Sequence, residues 1–218
     1  MKLAGSARAA LIWAALVAAV AVPLAASAAS PLLAYRSPIY IAAGFAGVIA
    51  LGLLLVQPVL MSGGLPGFPG FRGRRAHRWV GAALVLAVVV HVVGLWITSP
   101  PDVIDALLFN SPTPFSAWGV IAMWAIFASA LLAIFQRRLP LRPRTWRMIH
   151  TFLAAVIVVG GVVHSILIEG TMETWSKAGL CVLVLAATIK VITTLKVWAR
   201  RSVPRPTTAS QTTASGSR

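Results

Sequence analysis

All four histidines of the chain fall into two pairs with the same separation: His77 and His91 are 14 residues apart, and so are His150 and His164. Imidazole is the commonest protein ligand for transition metals and a frequent axial ligand of haem iron. If each pair lies on one helix, 14 steps of about 100° make nearly four turns. The two side chains are then within roughly 40° of each other and about 21 Å apart along the axis. Each helix presents two imidazoles on one face at two heights. Two such helices side by side make two bis-imidazole sites, which suit two b-type haems that pass single electrons and do not bind oxygen. The one cysteine, Cys181, excludes a disulfide framework, a c-type haem attachment motif and a thiolate zinc site.

The elements that must carry these histidines are legible in the composition. The 218 residues are 59% hydrophobic and 11% charged, with 19 Lys+Arg against 4 Asp+Glu and a net charge of +15. Soluble domains carry about a quarter of their residues as charges, so a water-soluble globule is excluded. A spanning helix needs roughly 20 mostly apolar residues. Six segments qualify: 9–28, 38–61, 77–97, 116–136, 146–168 and 175–199. The expectation is an all-α, six-transmembrane-helix bundle over residues 1–201, with two b-type haems between its third and fifth helices. A Thr/Ser/Pro-rich tail, 202–218, is expected to be disordered in the cytoplasm. Pro23 and Pro58 fall near helix ends, and Pro100, Pro101, Pro112 and Pro114 predict a non-helical third connection.

The charge is layered. Arg72, Arg74, Arg75 and Arg78 precede or begin the third segment, Arg137, Arg138, Arg142, Arg144 and Arg147 surround the start of the fifth, and Lys196, Arg200, Arg201 and Arg205 follow the sixth. Basic residues gathered between apolar stretches mark cytoplasmic loops of a membrane protein and not a nucleic-acid surface. The acids Asp102, Asp105, Glu169 and Glu173 all lie in the third and fifth connections. The reading is a multi-pass protein of the inner (cytoplasmic) membrane with both termini cytoplasmic. A second reading of the first segment is a cleaved signal peptide, from Lys2, Arg8 and the small residues Ala25 to Ala29. The apolar run is longer than the roughly 7–15 residues of a signal core, which favours a retained helix.

Because the third and fifth segments both leave arginine-rich connections, they run parallel, and depth pairs His77 with His150 and His91 with His164. Gly81 and Gly94 lie one turn after a histidine, and Gly160 and Gly161 one turn before His164; small residues there would let a flat cofactor approach the backbone. Arg78 and Arg147 are candidates to pair with propionates of the inner haem. The plainer reading of each glycine is helix packing, and of each arginine a topology signal. A haem-free transporter with histidines along a proton path is the alternative from another class, but no Asp or Glu lies inside a predicted helix to support it.

The segments Arg74-Arg75-Ala76-His77-Arg78-Trp79-Val80-Gly81 leading to His91, and Arg144-Thr145-Trp146-Arg147-Met148-Ile149-His150 leading to His164, resemble the ferric reductase-like transmembrane domain. That domain is shared by ferric reductases, NADPH oxidases and the haem-bearing membrane subunit of bacterial methionine sulfoxide reductase. The resemblance covers approximately residues 9–200. It implies two stacked haems, the inner ligated by His77 and His150 and the outer by His91 and His164. Sulfoxide-reductase subunits lack a histidine matching His77, so its presence argues for two haems.

Ferric reductases and NADPH oxidases continue into a flavin and nicotinamide domain, whereas no flavin or nicotinamide site is found here. The resemblance therefore implies a separate cytoplasmic flavin reductase or membrane quinol as donor. An outer ferric chelate or periplasmic redox protein would be the acceptor. A single-haem, quinol-linked subunit of a periplasmic reductase is the alternative within redox proteins.

Other features read more plainly. The glycine-rich stretch 62–71 matches no phosphate-binding motif and is a cytoplasmic connection. The four acids suit positive-inside topology before they suit an iron patch. Trp79, Trp146, Trp198, Trp96, Trp118 and Trp175 form interfacial belts.

Overall fold

The computed structural model describes residues 2–195, and all regular structure among them is helical. α1 runs Lys2–Ala28, α2 Pro38–Met61, α3 Gly70–Thr98, α4 Pro100–Leu107, α5 Pro114–Phe135, α6 Pro143–Leu167 and α7 Thr174–Leu195, with a 3₁₀ turn at Pro31–Leu33. All but α4 are long and apolar enough to cross a membrane, which gives six spans. The predicted tail 202–218, the end of the sixth predicted span, and Lys196, Trp198, Arg200, Arg201 and Arg205 lie outside the described residues.

Proline sets several helix starts. α2, α5 and α6 open on Pro38, Pro114 and Pro143, where the missing N–H would have had no helical partner. Ahead of α2, the Ser37 hydroxyl accepts from the Tyr40 amide at 3.2 Å. The same rule corrects the expectation of a non-helical third connection. Pro100 and Pro101 occupy the first turn of α4 and start that helix instead of preventing one. Asp102 in the same turn accepts from the Ser99 hydroxyl at 2.5 Å.

α3 begins at Gly70, ahead of the predicted span 77–97, so its arginines stand on helical turns and not in a loop. Its 29 residues measure about 43 Å against a hydrocarbon layer of about 30 Å, so the basic end projects beyond the apolar layer. Gly73 lets this projecting turn close on the chain before it. A Cβ there would lie 2.8 Å from the Phe68 carbonyl oxygen and 3.0 Å from that of Leu60. Gly73→Ala is expected to destabilise the detergent-solubilised protein by about 1–3 kcal/mol. The measurement is a lower Tm, with the histidines and whatever they bind unchanged.

α2 and α3 form one antiparallel hairpin and α5 and α6 a second, with α7 packed on α2 and α6, and α1 on α2 and α7. Leu51, Leu55, Leu84 and Val88 from the first hairpin and Met123, Ile126, Ile157 and Val158 from the second belong to one buried apolar core, and Val184 of α7 is fully buried among the core residues. Leu86, Val93 and Ile97 on α3, and Trp124, Leu131 and Ile134 on α5, are exposed. An apolar exterior on spanning helices is solvated by lipid tails. α3 touches α5 but makes little contact with α6, so the two histidine-bearing helices face each other across a gap.

Candidate functional site

The gap is bridged at two heights by imidazoles. The His77 and His150 ring centroids are 6.2 Å apart with planes at 75°, and those of His91 and His164 are 6.4 Å apart at 82°. The first pair lies near the arginine-rich end of the bundle and the second near the α4 end. Trp146 stacks on His150 at 5.1 Å and 9°, a contact that its reading as an interfacial tryptophan missed. Phe115 meets His164 edge-on at 5.9 Å.

Every one of the four Nδ1 atoms is engaged by the neighbouring helix of its own hairpin. His91 Nδ1 donates to the Ala43 carbonyl oxygen at 2.7 Å, and His164 Nδ1 to that of Phe115 at 2.9 Å. His77 Nδ1 lies 3.4 Å from the Gln57 carbonyl oxygen and also touches the Gln57 side-chain amide. His150 Nδ1 lies 3.1 Å from the Ser129 hydroxyl. A backbone carbonyl only accepts, so at His91 and His164 the proton sits on Nδ1 and Nε2 keeps its lone pair. Two facing imidazoles with free Nε2 lone pairs cannot hydrogen-bond each other, and each is left able to accept an electrophile.

The two hairpins repeat the same device. Ala43, Gly47 and Gln57 on α2 correspond to Phe115, Gly119 and Ser129 on α5 at a constant offset of 72 residues; His77 and His91 correspond to His150 and His164 at 73. Gly47 lies under the Nδ1 edge of His91, where a Cβ would come to 3.0 Å from Nδ1. Gly119 lies under His164, where a Cβ would come to 2.6 Å. Sequence reasoning missed both glycines, because they sit on other helices than the histidines. The signal that could have found them is the internal repeat, visible as Arg74-x-x-His77 and Arg147-x-x-His150.

The glycines read from the histidine helices divide differently. A Cβ on Gly81 would meet the Gln57 amide at 3.1 Å, one on Gly94 the Ala43 Cβ at 2.7 Å, and one on Gly160 the Trp118 carbonyl oxygen at 3.0 Å. These three let α3 approach α2 and α6 approach α5. Gly161 faces the gap instead, with Leu54 at 3.6 Å from its added Cβ. Arg78 and Arg147 are both exposed; Arg78 lines a shallow surface pocket with Arg75 and Trp79 away from the histidines. Arg74 stands one turn before His77, as Arg147 stands one turn before His150.

At the α4 end the gap widens into a cavity of about 750 Å³, bounded by His91, His164, Gly47, Gly119 and Gly161 and floored by Met123, Ile126 and Ile157. Sites for cofactor-sized ligands measure about 300–1,000 Å³.

Residues 43–161, more than half of the chain, match the family described as ferric reductase like transmembrane component. The chain belongs to that family. The matched stretch runs from α2 into α6 and contains His77, His91 and His150, while His164 lies three residues beyond it. No curated relative and no solved structure matches the chain. With six spanning helices, this ferric reductase-like protein is a multi-pass membrane protein.

The geometry tests whether its histidines fit the haem that the family commonly binds. Two imidazoles on one metal ion, each at a bond of about 2 Å, have ring centres about 6 Å apart, which is the spacing of both pairs. No group of three or more His, Cys, Asp or Glu able to hold a metal ion is found among the described residues. Each pair thus offers two imidazole ligands, and a macrocycle is a group that would bring the rest. The His91–His164 pair of this ferric reductase-like protein fits haem iron on spacing, tautomer and ligand number, and the His77–His150 pair on spacing and ligand number.

Proposed function

We propose that the chain is a di-haem cytochrome b that carries electrons across the cytoplasmic membrane as the membrane subunit of a ferric reductase-like system. His77 and His150 hold the haem nearer the cytoplasm and His91 and His164 the one nearer the outer face. The observation that carries this reading is the pair of imidazole couples at 6.2 and 6.4 Å, with all four Nδ1 atoms bound away from the gap. Haem b held by such an imidazole couple would supply one-electron transfer.

The rest of the work belongs to the chain. Ala43 and Phe115 accept the Nδ1 protons, which raises the basicity of Nε2 and holds the ring planes still when charge is added or removed. Leu54, Met123 and Ile157 keep the space between the pairs apolar and exclude water. Orientation follows from charge: Arg72, Arg74 and Arg75 begin α3 and Arg144 and Arg147 begin α6, so these ends face the cytoplasm. Asp102, Asp105 and Glu173 stand at the opposite, outer end. A cytoplasmic flavin reductase or membrane quinol is the donor, and an outer ferric chelate or periplasmic redox protein the acceptor.

A one-haem, quinol-linked subunit is the second reading, favoured by one observation: the large cavity lies at His91 and His164. A reduced-minus-oxidised spectrum with a pyridine haemochrome assay decides between them. About two low-spin b-type haems per chain are expected; one haem supports the second reading, and no reducible haem sinks both.

A further inference from the structure

Lys177, in the first turn of α7, is only 6% exposed and lines the same cavity as His91 and His164. Its ammonium donates to the Ile168 carbonyl oxygen at 2.7 Å. An ammonium has three donors, and the structure gives this one a single acceptor. Among the described residues no carboxylate lies within ion-pair distance of it. Glu169 and Asp102 line the cavity as well, yet neither pairs with Lys177, and Asp102 is bonded to Ser99. Removing a cation from water without a counter-charge is costly. A buried ammonium at a cavity wall with donors to spare is therefore half of an anion site. Thr171, 8% exposed and on the same cavity, is admitted by Gly44, whose missing Cβ would collide with its hydroxyl.

We propose that Lys177 binds a carboxylate inside this cavity. Two sources share that chemistry: a propionate of a haem held by His91 and His164, in which case the inference rests on the function proposed above, or a carboxylate chelate of ferric iron entering from the outer side. A cation beside a haem carboxylate favours the reduced, more negative state of the haem. Its removal lowers that haem's midpoint potential.

The test compares the full chain, in detergent, with Lys177→Gln, Lys177→Met and Lys177→Arg. Redox titration of the haem spectrum is one readout, and reoxidation of the dithionite-reduced protein by ferric citrate is the other. For the propionate source, one midpoint falls in the Gln and Met variants, recovers in the Arg variant, and the citrate dependence is unchanged. For the chelate source, both midpoints stay, while half-saturation by ferric citrate rises about tenfold or more in Gln and Met and recovers in Arg. Midpoints and half-saturation equal to those of the unaltered chain in either neutral variant overturn the proposal. A wild-type chain without haem overturns the haem reading alone. The carboxylate site is then read as a citrate-dependent rise in Tm, which must vanish in Lys177→Met; a wild-type chain that shows no such rise overturns the site as well.

Discussion

His91→Ala is expected to halve the haem content of the purified chain, from about two to about one per chain, and to leave the remaining haem low-spin. The same result is expected for His164→Ala, and for His77→Ala and His150→Ala at the other site. The reason is local. Each couple supplies two imidazoles, and no third His, Cys, Asp or Glu joins either into a larger metal-binding group among the described residues, so losing one imidazole leaves a single ligand at that site. The pairing sets the pattern among double variants. His91→Ala with His164→Ala costs no more haem than either alone, because both act on one site, whereas His77→Ala with His91→Ala removes both haems. Haem-to-protein ratios across the set are the measurement. Full haem content in every single variant would falsify the ligand assignment.

Gly119→Ala should weaken haem retention at the His91–His164 site by about 10–100-fold, the range seen when the group behind a metal-bound histidine is disturbed. The added methyl would stand 2.6 Å from His164 Nδ1 and 2.9 Å from Cε1, so the ring must turn or lift. Either movement breaks its bond to the Phe115 carbonyl oxygen and turns Nε2 away from its present aim. Gly47→Ala does the same to His91 with a milder approach of 3.0 Å and a shorter Nδ1 bond of 2.7 Å to resist it, so its effect should be smaller. Haem transfer to apomyoglobin reports both rates. Equal retention in Gly119→Ala and the unaltered chain would show that the ring is not held as described.

These two glycines mark the limit of what was legible beforehand. The histidines were visible because their spacing repeats and because polar groups are rare in apolar segments. The six spans were visible because hydropathy over some 20 residues is a local property. The short α4 was not, since proline between apolar segments signals a break, whereas at a helix's first turn Pro100 and Pro101 are starters. Gly81, Gly94 and Gly160 are near histidines in the chain, but a helix has several faces, and theirs meet Gln57, Ala43 and Trp118.

Composition and spacing by themselves determined that this is a six-span helical membrane protein with two sets of imidazoles at two depths, because each of those properties is written within one helix. Only the tertiary structure decided which nitrogen of the His91 and His164 imidazoles is free. His91 and His164 find their Nδ1 partners 48 and 49 residues away on α2 and α5, across helix faces whose register no local pattern specifies. It also decided that Gly47 and Gly119 make room for the rings, and that Lys177, which in the sequence is one more basic residue near a helix end, is buried at the wall of the His91–His164 cavity. A ligand's identity is a property of a residue, whereas its protonation, aim and neighbours are properties of packing between helices.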